Sequence, residues 1–164
     1  MPILDPHSLE FFSKSSEQTR RIGTRLGAFL TIGDVVCLSG ELGSGKTTFT
    51  QGIGKGWGSL DRVTSPSFVL VNEYKKPEGT KLFHLDAFRL ANAQEGSDLD
   101  IDLMLTFGAL VIEWPERIQS LLPEDHIWID LFWVDEFQRR ILFSPVGEKY
   151  RLMLGEFRQK AFGG

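Results

Sequence analysis

The chain has 164 residues, of which 41% are hydrophobic and 24% are charged, a composition that excludes a disordered or fibrous protein. The length predicts a single domain over residues 1–164. With a net charge of -4 there is no overall basic surface, so direct DNA binding is disfavoured. One cysteine, Cys37, excludes an internal disulfide and is expected to be buried. No apolar run has signal-peptide or membrane-span length, so we expect a cytoplasmic protein without membrane contact.

The first half of the chain predicts a helix, a strand and a second helix. Apolar residues at helical spacing within residues 8–30 predict an amphipathic helix, with Ser15 or Ser16 as its N-cap. The apolar run Val35 to Leu38 predicts a buried strand that ends at Gly40. A second helix is expected over residues 47–58, and its four glycines predict that it is short.

The second half predicts more strands. Residues 67–74 and 81–88 are typical of two strands joined by an exposed hairpin loop. Further elements are expected in chain order: a largely helical segment at 93–108, strands at 109–114, 126–134 and 139–147, and a helix over 148–162. This order predicts an α/β sandwich of three layers around a mixed parallel and antiparallel sheet.

A phosphate-binding motif lies between the first predicted strand and the second predicted helix. The sequence GELGSGKT, residues 40–47, matches the pattern G-x-x-x-x-G-K-[ST] of P-loop nucleotide-binding proteins. Its glycines let backbone N–H groups point inward, and the following helix adds its positive end. We expect Lys46 to reach the outer phosphates of ATP and Thr47 to bind Mg²⁺. The other predicted nucleotide contacts in the loop are Glu41, Leu42, Gly43, Ser44 and Gly45.

Two acids at predicted strand ends complete the predicted site. Glu113 follows the apolar run ALVI, as a Walker B acid does, and Asp86 ends the strand KLFHLD. Either carboxylate could orient the attacking water, and either could instead be a helix cap. His84 shares a strand face with Asp86 and is expected to be a core residue rather than a catalytic one. Trp114 either stacks on a ligand or partner or simply packs.

The segment TSPSF, residues 64–68, has two interpretations. Its hydroxyl residues Ser65 and Ser67 could sense the γ-phosphate as a switch does. Composition alone equally favours a proline turn.

Taken together, these segments resemble the bacterial TsaE family of ATPases, which are required for threonylcarbamoyladenosine on transfer RNA. The resemblance rests on GELGSGKTTF, TSPSFVLVNEY, HLDAFRL and VIEWPERI, followed by an arginine pair entering a late strand. It covers nearly the whole chain. The sequence departs from the usual pattern at Ser67, where threonine is common, and at Ala87 and Phe88, where leucine and tyrosine are usual.

The resemblance implies a P-loop NTPase-like fold and roles for particular residues. Lys46, Thr47 and Thr48 would hold phosphate and Mg²⁺, Glu113 would be a metal ligand, and Asp86 would support hydrolysis. Trp114 and the switch at 65–68 would be functional. Nucleotide contacts would also come from the N-terminal polar segment and from Arg139 or Arg140. The implied partners are the TsaB and TsaD type proteins of a threonylcarbamoyl transferase complex, so transfer RNA would be met only indirectly.

Two other functions remain open at this stage. A small-molecule kinase uses the same loop, although no arginine-rich lid segment is visible in the sequence. A nucleotide-sensing module would bind without hydrolysis. Because no catalytic arginine stands near the loop, we expect an ATPase that turns over slowly without its partner.

Overall fold

The computed structural model describes residues 6–60, 71–90 and 99–162. The strands are β1 (Leu9–Ser13), β2 (Val35–Ser39), β3 (Val71–Lys75), β4 (Lys81–Asp86), β5 (Gly108–Glu113), β6 (His126–Trp133) and β7 (Arg139–Val146). The α-helices are α1 (Ser16–Gly27), α2 (Lys46–Trp57), α3 (Ile101–Phe107) and α4 (Glu148–Phe162). Short 3₁₀ helices span Ala87–Arg89 and Pro115–Leu121. Within these ranges no helix has both the length and the apolar character needed to cross a bilayer.

The strands form one mixed sheet in the order β1-β7-β6-β2-β5-β4-β3. The four central strands, β6, β2, β5 and β4, run parallel, while β7, β1 and β3 add antiparallel pairs at the two edges. This confirms the predicted mixed sheet, including the antiparallel pairing of β3 with β4. The parallel centre is buried on both faces, which explains the unbroken apolar run of β2.

Helices cover both faces of the sheet, so the sandwich has the predicted three layers. Alternate residues of β2 point to opposite cores: Val36 and Leu38 pack beneath α1, α2 and α4, whereas Val35 and Cys37 face α3 and the 3₁₀ segments. Cys37 is fully buried, as expected, and burial raises the pKa of its thiol to about 12. The thiol is therefore protonated at neutral pH.

The N-terminal prediction was correct for the helix and missed a strand. Ser15 is the N-cap of α1, where its Oγ accepts from the backbone N–H of Gln18 at 3.1 Å. The preceding residues form β1, which pairs with β7 from Leu9 opposite Phe143 to Ser13 opposite Arg139. Five residues with period-two alternation carry a weak local signal, and a partner about 130 positions away in the sequence stabilises the strand.

Helix α2 is shifted by one residue from its predicted range, and it runs through its glycines for 12 residues. These glycines allow a close approach to α1. A Cβ on Gly52 would lie 2.0 Å from the carbonyl oxygen of Arg20, and one on Gly56 would lie 1.9 Å from that of Thr24. Gly23 and Gly27 of α1 face α2 in the same way. The helix packing thus outweighs the low helix propensity, which is roughly 1 kcal/mol per glycine.

This packing predicts opposite effects for two glycine-to-alanine changes in helices. Gly52→Ala should lower the free energy of unfolding by roughly 1–3 kcal/mol, because the new methyl group meets backbone that cannot move aside. Gly155→Ala in α4 is the control: a Cβ there meets nothing within 4 Å, so we expect a gain of roughly 0.4–1 kcal/mol. Urea unfolding of both variants measures the difference, and equal effects would contradict the close helix contact.

Candidate functional site

The glycine-rich loop leaves β2 after Ser39 and enters α2 at Lys46. Three of its residues, Gly40, Gly43 and Gly45, have positive φ angles of 154°, 81° and 103°. Gly40 also has no room for a side chain, since a Cβ would lie 2.6 Å from Ser44 Oγ. Among the described residues, no side chain caps the first turn of α2. The positive-φ backbone and uncapped helix start are typical of an anion nest.

Two side chains of the loop are buried and polar. Lys46 is only 6% exposed, and its Nζ donates to the carbonyl oxygens of Gly40 and, at 3.1 Å, of Glu41. The ammonium also lies 4.1 Å from the centroid of the Trp114 ring. Ser44 Oγ is buried and has no hydrogen-bond partner in the described part of the chain. A buried donor without a partner is unfavourable, and an anion in the loop would satisfy it.

The charge of Lys46 is disfavoured by its surroundings. Burial lowers the pKa of Lys46 from its ordinary value of 10.5, while the carboxylates of Glu113, Glu116 and Asp86 oppose this shift. Since burial is the largest cause, the net direction is downward. The charged form of Lys46 would therefore be stabilised by a further anion bound in the loop.

The two predicted acids lie side by side where β4 and β5 end. Asp86 and Glu113 are register partners in this parallel pair. Asp86 Oδ1 accepts from the backbone N–H of Phe88 at 3.0 Å, so it caps the 3₁₀ turn and also borders the loop cavity. Glu113 is 5% exposed, and its Oε2 lies 2.5 Å from Nε2 of His84.

A cavity of about 350 Å³ brings the predicted residues together. It is lined by Glu41, Leu42, Gly43, Gly45, Lys46, Thr47, Thr48, Asp86, Glu113, Trp114 and Arg139. Loop, acids and tryptophan therefore face one space.

Trp114 has an unusual backbone. Its φ and ψ are 59° and 50°, a left-handed conformation that costs a non-glycine residue of this size roughly 1–3 kcal/mol. Its ring packs against Phe88 with centroids 5.0 Å apart, and its backbone N–H donates to the carbonyl oxygen of Leu38 at 3.2 Å. Aromatic packing at position 88 therefore does not need a tyrosine hydroxyl.

The two candidate arginines point to opposite faces of β7. Arg139 lines the loop cavity, and its Nη1 donates to the carbonyl oxygens of Asp135 at 2.7 Å and Gln138 at 2.9 Å. The Nε of Arg140 instead donates to Glu10 at 2.6 Å. Of this pair, the structure brings only Arg139 to the cavity.

A second cavity of about 250 Å³ adjoins the first and shares Gly45, Thr48 and Arg139 with it. Its other lining residues are Ser15, Ser16, Thr19, Glu136 and Phe137. The polar start of α1 thus lies beside the loop. Phe137 had no signal in the sequence, since it sits in a turn without periodicity.

Comparison with known proteins decides the family. The family model described as "Threonylcarbamoyl adenosine biosynthesis protein TsaE" matches residues 13–141. The chain belongs to the TsaE family. A TsaE protein of Bacillus subtilis is 34% identical over 149 residues, which are 90% of this chain and 92% of the relative. One from Streptomyces coelicolor is 44% identical over 110 residues, 66% of this chain and 74% of the relative. The crystal structure of Bacillus subtilis YdiB has a TM-score of 0.78 and 30% identity, covering 94% of this chain and 96% of that one.

The stretch matched to TsaE contains the loop, both acids, Trp114 and the arginine pair. Most of β1 and all of α4 lie outside it. Ser65 and Ser67, the predicted switch residues, lie outside the described residues. Two hydrogen-bonding contacts at the site were also not predicted from the sequence. One is the contact of His84 with Glu113, which the shared strand face of His84 and Asp86 could have signalled. The other is Ser39, whose Oγ donates to Glu116 at 2.9 Å.

The lowered pKa of Lys46 yields a prediction for the ligand-free protein. Lys46→Met keeps the length of the side chain and removes the disfavoured charge, so its free energy of unfolding at pH 7 should equal or exceed that of the wild type. At pH values below the pKa of Lys46 in the folded state, the destabilisation by its buried charge is present in full. As pH rises from there toward 10.5, wild-type Lys46 loses its proton in the folded state first, and the difference between the proteins should shrink.

Urea unfolding across this pH range measures the difference. Lys55→Met, at an exposed position of the same helix, is the matched control and should change stability little at any pH. A Lys46→Met protein that is clearly less stable at pH 7 would contradict the direction of the shift.

Proposed function

We propose that the chain is a magnesium-dependent ATPase that serves threonylcarbamoyladenosine biosynthesis on transfer RNA. The observation that carries this proposal is the cavity shared by the anion nest, Lys46 and the two strand-end carboxylates. Membership of the TsaE family supports the biosynthetic context.

The loop is suited to a triphosphate. Backbone N–H groups around Gly43 and Gly45 and the uncapped start of α2 attract anionic oxygens. Ser44 Oγ supplies one more buried donor. On binding, Lys46 exchanges the carbonyls of Gly40 and Glu41 for phosphate oxygens, which a cation in a low-dielectric site favours.

The donor set at the cavity fits Mg²⁺. This ion prefers oxygen ligands and keeps several waters, so one hydroxyl and one carboxylate from the protein suffice beside the phosphates. Thr47 and Glu113 both line the cavity and provide them. Bound there, the metal would neutralise charge on the phosphates. Asp86 or Glu113 then orients the attacking water, and their adjacency in the register gives both access to the same space.

The nucleoside has space in the second cavity. Thr48, Gly45 and Arg139 border both spaces, so a ligand whose phosphates occupy the loop continues directly between α1 and the β6–β7 turn. Phe137, which is 70% exposed, offers a ring on which a base could stack.

The site would act with partners in the cytoplasm. The TsaB and TsaD type proteins of a threonylcarbamoyl transferase complex would carry out the chemistry on transfer RNA, and ATP hydrolysis here would reset that complex. A net charge of -4 is consistent with meeting transfer RNA only through them. Arg139 borders the loop cavity, but its Nη1 donates to the carbonyl oxygens of Asp135 and Gln138. Hydrolysis by the chain alone would therefore be slow, because a partner's arginine can raise such rates by ~10³ to 10⁵.

Phosphate release with and without the transferase complex tests this function. The wild type should release phosphate from ATP only with Mg²⁺ and faster with the complex. Glu113→Gln and Asp86→Asn are matched isosteric changes, and the one that removes the water-orienting acid should lower the rate by roughly 10² to 10⁴ while ATP still binds. Lys46→Ala should abolish ATP binding itself.

The same assay separates the alternatives. If no phosphate is released even with the complex although ATP binds, the chain is a nucleotide sensor. If phosphate appears on an added nucleoside or sugar rather than in solution, the chain is a kinase. Either result overturns the ATPase proposal.

The arginine pair allows a test of the nucleotide's position. Arg139→Ala should weaken ATP binding roughly 10-fold or more, since a hydrogen bond to a charged group contributes ~1.5–3 kcal/mol. Arg140→Ala, one residue away on the other face, should leave affinity unchanged. Calorimetric titration with the two variants measures this, with melting temperatures as a check on folding. Equal losses of affinity would contradict the assignment of the adjoining cavities to one ligand.

A further inference from the structure

A row of polar side chains continues from Glu113 into the core. Glu113 Oε2 lies 2.5 Å from His84 Nε2, and His84 Nδ1 lies 3.2 Å from the hydroxyl of Tyr74. The Nδ2 of Asn72 donates to the same hydroxyl at 3.3 Å. The row crosses three neighbouring strands, from β5 through β4 to β3. The proposed function uses only its first member.

The donors in this row define its direction. The carboxylate oxygen of Glu113 can only accept, so the proton between it and His84 is carried by Nε2. In the neutral ring with that proton, Nδ1 has only a lone pair and accepts from the hydroxyl of Tyr74. The hydroxyl oxygen of Tyr74 in turn accepts from the amide nitrogen of Asn72. All three hydrogen bonds therefore run toward the carboxylate.

Burial makes this arrangement costly to change. His84 is fully buried, Tyr74 is 3% exposed and Glu113 is 5% exposed. A buried polar atom that loses its partner costs more than a typical hydrogen bond contributes, so each ring and carboxylate is held in one orientation. His84 pairs in register with Val111, two residues before Glu113, and so contacts the carboxylate from the core side. Glu113 lines the loop cavity, and His84 is not among the described residues that line it.

We propose that His84 is a positioning residue for Glu113, and that Tyr74 fixes the tautomer in which His84 can do so. The pair holds Oε2, so that Oε1 would remain available to bind Mg²⁺. This inference rests on the proposed function, because it assigns Glu113 to the metal. Mutation of a residue that hydrogen-bonds to a metal-binding carboxylate or histidine commonly lowers metal affinity 10- to 100-fold.

Nucleotide affinity with and without Mg²⁺ tests the role directly. A fluorescent ATP analogue is titrated into wild type, His84→Leu, His84→Gln and Tyr74→Phe, first with EDTA and then with MgCl₂. In His84→Leu the gain in affinity from Mg²⁺ should fall by roughly 10–100-fold, while affinity in EDTA stays at the wild-type level. His84→Gln can place an amide N–H near the position of Nε2 and should recover most of the gain. Tyr74→Phe should lose less than His84→Leu.

A second buried histidine provides the control. His126, 9% exposed, begins β6 and therefore lies at the opposite edge of the parallel strands from Glu113. His126→Leu should leave the magnesium-dependent gain unchanged, even if it lowers the melting temperature. If His84→Leu weakens binding equally in EDTA and in MgCl₂, or if His84→Gln is as impaired as His84→Leu, the positioning role is overturned.

Nuclear magnetic resonance on the ligand-free chain gives a readout independent of nucleotide and metal. The chain has three histidines, so ¹⁵N-labelled rings give few signals, and the one lost in His84→Gln is that of His84. Long-range ¹H–¹⁵N correlations should show its proton on Nε2, and Tyr74→Phe should populate the Nδ1–H form. A wild-type ring protonated on Nδ1 alone would overturn the proposal.

The two proposals fail in different ways. A wild type with no gain from Mg²⁺ overturns the proposed function and the positioning role with it. A wild-type gain that survives intact in His84→Leu overturns the positioning role alone. In a Glu113→Gln background, His84→Leu should add no further loss, because the two residues act as one unit. Additive losses would show that His84 acts elsewhere.

Discussion

Parallel pairing of β2, β5 and β4 is the constraint on which the site depends. Parallel strands end at the same edge of a sheet, so Ser39, Glu113 and Asp86 arrive together although they are far apart in the chain. The loop that follows Ser39 then opens directly beside the two acids. A shift of β5 by one residue would turn Glu113 to the other face of the sheet, where Ile112 packs in the opposite core. Alternate side chains of β5 pack in opposite cores, and this fixes the face of the sheet on which Glu113 lies. The sequence of β5 therefore determines the position of the acid as well as the fold.

The second constraint is the contact of α1 with α2. The loop can present its N–H groups only if the start of α2 is held in place, and α2 is anchored by backbone that touches α1 at Gly52 and Gly56. This contact also brings the polar start of α1, Ser15 and Ser16, next to the loop. The glycines would weaken an isolated helix, but here they allow α1 to lie close to α2. The cavity at the start of α1 therefore adjoins the loop cavity.

How much the sequence predicted depended on how local each feature is. The loop, the N-cap at Ser15 and the strand ending in Glu113 are encoded by neighbouring residues, and the structure has them where they were expected. The strand β1 was missed because its partner β7 is remote in the sequence. The reason for the glycines of α2 was missed, because helix propensity does not include packing against the helix that they face. The roles of the site residues stay predictions.

Two of the contacts that escaped prediction share one physical origin. Glu113 with His84 and Lys46 with Trp114 each join side chains from different elements, and each puts a polar or charged group where burial disfavours it. Such groups persist in a core only when neighbours satisfy them, and those neighbours are fixed by tertiary structure rather than by spacing in the sequence. The left-handed backbone of Trp114 adds strain in the same place. Buried charge, an unpartnered Ser44 hydroxyl and strained backbone thus occur together at the loop and its cavity. A ligand with negative charge and oxygen atoms would relieve the first two of these costs, which is the physical reason to place a nucleotide there.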